Sequence, residues 1–299
     1  MTGPYEWMTW GECYTEGLAF GAFITHHKCC DREVDPEVEG IAPIRTIGFY
    51  TNNSIEWILA DIGAMFTGTV SVTLYDTLGD MSTPAIIDEA ELETVVCGAA
   101  HVGNLATLKL KGMISTLKNL IFVEGPTPCK TLAKDLEKAA EAGLQTTGFK
   151  EALALGKDYL KAEPNMLKER SAAVKGDSIY TICYTSGSTN YFKGVLLSHT
   201  NFLTNARQFE LFDSEFLPTG DDVHLSYLPL AHVFERLMYV LSIGYQMKIG
   251  IYSGDITQLQ RDLQELKPTV FSVVPRLLNR FISAIQQKTK QEKTEEDED

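Results

Sequence analysis

From Ile44 onward, short apolar β-branched runs alternate with segments of helical spacing, and this alternation restricts the fold more than any other feature. Ile44 to Tyr50 reads as a strand, after which Ser54 can cap a helix running through Trp57, Leu59 and Ile62. Thr69 to Leu74 is the next strand. Thr83 followed by Pro84 has the form of an N-cap with proline at the first helical position, opening a helix through Ile86 and Ala90. Thr94 to Cys97 reads as a strand, His101 to about Leu117 as helix, and Leu120 to Val123 as strand. Strands separated by single helices of this length predict βαβ units and a parallel sheet.

Between Glu124 and Lys175 the pattern weakens to two helical stretches, Thr131 to Ala142 and Phe149 to Lys161, which read as an excursion between two halves. Alternation then resumes with strands at Ile179 to Tyr184, Val195 to Ser198, Val223 to Tyr227, Met247 to Tyr252 and Val270 to Val274. Helices are expected through Asn201 to Phe209 and from near Val233, Ile256 and Pro275. The expected class is α/β, with two parallel-sheet halves.

A chain of 299 residues that is 44% hydrophobic can bury one large core or two modest ones. Its net charge of −14 opposes the phosphate backbone of nucleic acids, so no nucleic-acid partner is expected. Part of that charge is the run Glu295 to Asp299. Residues 288–299 therefore read as a solvated acidic tail, and residues 1–287 as the folded part.

Six scattered cysteines without a CxxC pair suit reduced thiols in a cytosol-facing compartment. Met1 to Trp10 has no basic segment leading into an apolar run, so no secretory signal is read and the Asn52-Asn53-Ser54 sequon is expected to stay unmodified. The most apolar stretch, Leu237 to Tyr252, is broken by Gln246 and Lys248 and falls short of the roughly 18–20 residues that span a bilayer. Any membrane contact is expected to be peripheral. His26, His27, Cys29 and Cys30 are metal-ligand types, but such crowding suits at most two tetrahedral ligands, so a surface helix without metal is expected there.

The segment richest in chemistry is Tyr184-Thr185-Ser186-Gly187-Ser188-Thr189-Asn190-Tyr191-Phe192-Lys193-Gly194-Val195, between two predicted strands. Small residues let backbone N–H groups approach a phosphate, the hydroxyls donate further bonds, and Lys193 brings positive charge. The loop suits a polyphosphate. It is not a Walker A loop, because the Gly-Lys-Ser/Thr ending and a directly following helix are both missing. An ordinary Ser/Thr-rich turn is the plainer alternative.

This loop resembles the signature Tyr-Thr-Ser-Gly-Thr-Thr-Gly-x-Pro-Lys-Gly-Val of adenylate-forming enzymes. Three further segments resemble the eukaryotic-type long-chain acyl-CoA synthetases among them: Leu74 to Gly79, Tyr227-Leu228-Pro229-Leu230-Ala231-His232-Val233-Phe234-Glu235-Arg236, and Pro268 to Val270 with Val274 to Arg280. Asn190 stands where the family has glycine and Phe192 where it has proline. The second change frees φ and restores an N–H, so a looser loop is expected before Lys193.

The resemblance implies the N-terminal domain of an adenylate-forming enzyme, and a two-step ligation of a long-chain fatty acid to coenzyme A through an acyl-adenylate made from Mg-ATP. By the same carry-over Thr185, Ser186, Gly187, Ser188, Thr189 and Lys193 hold the β- and γ-phosphates, with the Thr185 hydroxyl near Mg²⁺. His232 lines the pocket near the reacting carboxylate and α-phosphate; a packed histidine opening a helix is the alternative. The family's adenine-site Tyr-Gly-x-Thr-Glu, its ribose aspartate and its lid domain are not found among these residues. The chain is therefore expected to be incomplete as a ligase, or a non-catalytic paralogue that binds nucleotide, acyl chain or protein. A cytosolic location is implied, free or peripheral on the endoplasmic reticulum or peroxisome.

Overall fold

The computed structural model describes residues 4–75, 81–125, 127–186, 192–211, 217–283 and 286, with Ser186, Phe209 and Leu211 described in their backbone alone. The predicted acidic tail lies outside them, as do Asp76 to Asp80 and Gly187 to Tyr191.

The first element is a helix that the strand–helix alternation does not announce, α1 (Trp10–His26). Thr9 caps it in a reciprocal box: the Glu12 N–H donates to Thr9 Oγ1 at 3.2 Å, and the Thr9 N–H donates to Glu12 Oε2 at 2.7 Å. Its buried residues run without a break from Ala19 to Ile24, so no polar stripe marks the helix in sequence. Two helices press on it from different sides, α2 (Ile55–Thr67) and α6 (Phe149–Ala162).

Around these helices runs one large sheet. Its strands are β1 (Glu33–Val34), β2 (Ile44–Tyr50), β3 (Thr69–Thr73), β4 (Thr94–Gly98), β5 (Asn119–Val123), β6 (Gln145–Gly148), β7 (Ile179–Ser186) and β8 (Phe192–Ser198). They lie in the order β6-β5-β4-β2-β3-β7-β8, with β1 antiparallel beside β2. From β6 to β7 every neighbouring pair is parallel. The remaining helices of this part are α3 (Ser82–Glu89), α4 (Val102–Leu110), α5 (Leu132–Glu141) and α7 (Lys168–Ala173).

Both faces of the sheet are buried. One cluster joins Ile47, Phe49 and Val96 to Phe20, Trp57 and Phe149 of α1, α2 and α6. The other joins Tyr50, Val95 and Cys97 to Ile86, Leu105 and Ala139 of α3, α4 and α5. Such a doubly covered parallel sheet explains why the strands read as continuous apolar runs.

A smaller parallel sheet pairs β9 (Val223–Ser226) with β10 (Lys248–Ile251). It is accompanied by α8 (His199–Arg207), α9 (Val233–Gly244) and α10 (Leu259–Leu266), and residues 275–283 are helical.

The α/β class holds, and five details differ from the sequence reading. β7 and β8 form an antiparallel hairpin on the first sheet, because β7 pairs with β3 through Ser71↔Thr181 and Val72↔Ile182. The excursion between Glu124 and Lys175 adds β6 to the far edge of that same sheet, so the halves divide after the hairpin. Helix α4 stops at Leu110, short of Leu117, near Gly112 with its positive φ of 73°. Thr83 lies inside α3, whose N-cap is Met81 without a side-chain bond, and the strand expected at Val270 to Val274 is reduced to one bridge from Val270 to His224.

The α1–α6 crossing depends on Gly156, where an added Cβ would sit 1.8 Å from the Ala19 carbonyl oxygen. Backbone cannot yield as a side chain does, so the helices would have to separate. Gly156→Ala is expected to cost about 1–3 kcal/mol of stability despite its better helix propensity. A urea titration against the parent chain checks the sign; a stabilised variant would contradict the crossing.

Candidate functional site

In open parallel sheets the loops leaving the carboxyl ends of the strands form the ligand crevice. Here β2, β3 and β7 are neighbours and run the same way, so their carboxyl ends lie at one edge: Thr51 to Ser54 after β2, Leu74 to Tyr75 after β3, and Thr185 to Ser186 as the last residues of β7. The second and third are tied together, since the Tyr75 hydroxyl donates to the Tyr184 carbonyl at 2.6 Å. Tyr184 itself is buried and shares a hydrogen bond with Glu89; burial, then that carboxylate, raises its pKa. Its phenol thus anchors the strand end that Thr185 extends.

Across the hairpin Thr185 is paired with Lys193 and Ser186 with Phe192. Directly opposed residues of an antiparallel pair project to the same face. Thr185 and Lys193 are both exposed, so a hydroxyl and an ammonium stand side by side on that face. This donor set fits an anion with several oxygens, and the hard hydroxyl oxygen fits one ligand position of a Mg²⁺ ion. Gly187, Ser188 and Thr189 lie outside the described residues, as does Asn190. Phe192 opens β8 in register with Ser186, and its half-buried ring packs against the core cluster under α3 to α5; the loop expected to be looser lies outside the described residues up to Tyr191.

The other candidate, His232, is the N-cap of α9. Its Nδ1 accepts from the Phe234 N–H at 3.2 Å, and its own N–H donates to the Pro229 carbonyl at 2.8 Å. It opens a helix, as the plainer reading had it, yet its side chain is exposed rather than packed. The turn that carries it is joined to the first sheet by Asn53, which bonds Ser226, Leu228 and Leu230.

Behind His232 the next turn of the helix holds two fully buried charged residues that sequence reasoning treated only as letters of a resemblance. Glu235 meets His224 of β9 at 2.9 Å. Arg236 crosses to α2 and β3, where its Nη2 lies 3.0 Å from Asp61 Oδ1 and 2.9 Å from Ser71 Oγ. Its guanidinium stands between the rings of Trp57 and Tyr180, at 4.6 and 4.7 Å. The Tyr180 hydroxyl donates to the other Asp61 oxygen at 2.6 Å. Burial pushes the Asp61 carboxyl up, against the pull of Arg236 and the bonds from Tyr180 and Ser71. The signal was present in sequence: Asp61 within Leu59-Ala60-Asp61-Ile62 and Arg236 before Leu237-Met238 are charges in apolar helical surroundings, which calls for a buried partner.

The crowded His26 to Cys30 segment is not a mixed surface helix. Cys29 and Cys30 are buried, and the His26 ring stacks on Tyr159 with centroids 3.7 Å apart. No group of three metal-ligating side chains occurs among the described residues. A cavity of about 430 Å³ opens beside β5 and β6, but Glu56, Glu124 and Glu151 line it and would repel a phosphate.

The family model described as "AMP-binding enzyme" matches residues 2–298. Long chain acyl-CoA synthetase 6, peroxisomal, of Arabidopsis thaliana is 34% identical over 284 residues, covering 95% of this chain and 36% of the relative. Long-chain-fatty-acid–CoA ligase 5 of Mus musculus is 32% identical over 290 residues, covering 96% of this chain and 39% of the relative. The chain therefore spans well under half the length of the curated relatives it matches. Among solved structures, the adenylation domain of a carboxylate reductase from Mycobacterium chelonae superposes with a TM-score of 0.72 at 16% identity, over 95% of this chain and 41% of that one. At that identity the likeness speaks for the fold.

Proposed function

The chain belongs to the AMP-binding enzyme family, and from that premise we propose that it carries the front portion of a long-chain fatty acid–CoA ligase. The observation that carries the proposal is the convergence of its motifs: the carboxyl ends of β3 and β7 lie at one sheet edge, and Asn53 ties the His232 turn to it. The substrate class follows the relatives, long-chain acyl-CoA synthetases and ligases 31–34% identical over nearly the whole chain.

In this reading a carboxylate oxygen of the fatty acid attacks the α-phosphorus of ATP, and pyrophosphate leaves with the bonding electrons. The thiol sulfur of coenzyme A then attacks the acyl carbonyl and AMP leaves. Lys193 and the hydroxyls of Thr185, Ser186, Ser188 and Thr189 hold the β- and γ-phosphates, with the Gly187 backbone allowing close approach. Thr185 contributes an oxygen to Mg²⁺, whose charge offsets that of the phosphates. His232, exposed at the start of α9, faces the carboxylate and α-phosphate. Positioning and charge neutralisation do this work, without a covalent residue.

No helix among the described residues is long and apolar enough to cross a membrane. Peripheral attachment on the cytosolic face of the endoplasmic reticulum or peroxisome is the membrane contact this reading allows. A second reading, a module that binds nucleotide or acyl chain without turnover, is favoured by Asn190 and Phe192 standing where the family has glycine and proline. Palmitate-dependent exchange of labelled pyrophosphate into ATP separates the two. It is to be measured on a polypeptide that joins these residues to the segments the resemblance places after Arg280. Exchange that requires palmitate is expected; ATP binding without exchange would select the second reading.

A further inference from the structure

We propose that Asn53 is the positioning residue for His232, clamping the strand-to-helix turn that presents it. The proposal rests on the reading of His232 as a nucleotide-site residue. Asn53 follows β2 at the sheet edge and makes three hydrogen bonds to one short segment. Its Nδ2 donates to the Leu228 carbonyl at 2.7 Å and to Ser226 Oγ at 3.0 Å, and its Oδ1 accepts from the Leu230 N–H at 2.8 Å. The bonded residues alternate along the turn, and the last stands two positions before His232.

The chemistry at this position singles out asparagine. A carbonyl on one side requires a donor, and an N–H on the other requires an acceptor, so one primary amide in one orientation satisfies both. Aspartate would keep the Leu230 bond but set an oxygen against the Leu228 carbonyl. Glutamine would carry the amide a methylene too far for the same turn.

His232 lies between this clamp and a second anchor. Its N–H closes the turn onto Pro229, its carbonyl accepts from the Arg236 N–H, and Arg236 reaches back to Asp61. Both anchors lead to one element, since Asn53 immediately precedes Ser54, the N-cap of the α2 helix that holds Asp61. Helix α2 therefore sets the position of His232 relative to the strand ends that carry Thr185 and Lys193. The exposed His232 side chain accepts from the Phe234 N–H in the first turn of its own helix, so the backbone it hangs from decides where it points.

The test combines exchange with binding on the full 299-residue chain. In Asn53→Ala, backbone hydrogen exchange across residues 228–232 is expected to rise about tenfold, as losing a turn-closing bond implies. Mg-ATP affinity, measured by calorimetry for Asn53→Ala, His232→Ala and the double variant, is expected to fall in each single variant. It should fall no further in the double, because a residue acting through His232 has no effect once His232 is gone. Unchanged exchange overturns the proposal. Raised exchange with additive losses of affinity also overturns it, showing that Asn53 acts by another route. If His232→Ala binds Mg-ATP as the parent does, the reading of His232 falls separately, and exchange alone decides the clamp. Should Asn53→Ala fail to fold, Asn53→Asp keeps the Leu230 bond and carries the same measurements.

Discussion

Replacing Arg236 by methionine is expected to remove about 3–5 kcal/mol of folding stability, a large part of what a domain of this kind possesses. The substitution nearly conserves volume, so the loss comes from charge rather than packing. Asp61 is fully buried, and without Arg236 its carboxylate would keep only the hydroxyls of Tyr180 and Ser71 among its described partners, with no opposite charge. Ser71 would lose its bond to the same nitrogen, and the Trp57 and Tyr180 rings their cation. Because Arg236 belongs to α9 and Asp61 to α2, the loss is felt where the smaller sheet joins the larger. Replacing both partners, Asp61→Leu with Arg236→Met, is expected to cost less than the sum of the two single changes, since no lone charge remains in the core. Urea unfolding of the four proteins checks this. A single Arg236→Met variant within about 1 kcal/mol of the parent would show the pair to be dispensable.

Much of the larger sheet was legible because local rules decide it. Ser54 caps α2 as its position suggested, accepting from the Trp57 N–H at 3.1 Å, and β2 to β5 begin within two residues of the apolar runs that predicted them. What was not legible depends on partners distant in sequence. α1 is buried on most sides and so lacks the polar stripe that marks a helix, while its tight crossings show only as scattered glycines. The β7–β8 hairpin looked like a strand entering a second half, since nothing local reveals that Thr181 pairs with Ser71. The same holds for the candidate site. The hydroxyl-rich loop and His232 were visible as motifs, whereas Asn53 and the Asp61–Arg236 pair acquire their roles only when the chain returns, 175 positions later in the case of the ion pair.

The second large effect concerns the hairpin itself. Lys193→Ala is expected to weaken Mg-ATP binding about tenfold or more, because a hydrogen bond to a charged group contributes about 1.5–3 kcal/mol. Lys193 stands opposite Thr185 in the ladder, and the strand end they share is fixed from below by Tyr184 and from the side by Tyr75. The ammonium is thus presented from the paired base of the hairpin, and its removal leaves the β7 hydroxyls in place. Melting temperature should scarcely move, since Lys193 is exposed and buries no partner. Calorimetric titration of Mg-ATP into the parent chain and into Lys193→Ala tests the central claim most directly. A parent that binds and a variant at least about tenfold weaker is the predicted result. Equal, measurable affinities would remove the β7–β8 hairpin from the nucleotide site, and a folded parent that binds no Mg-ATP would contradict the claim outright.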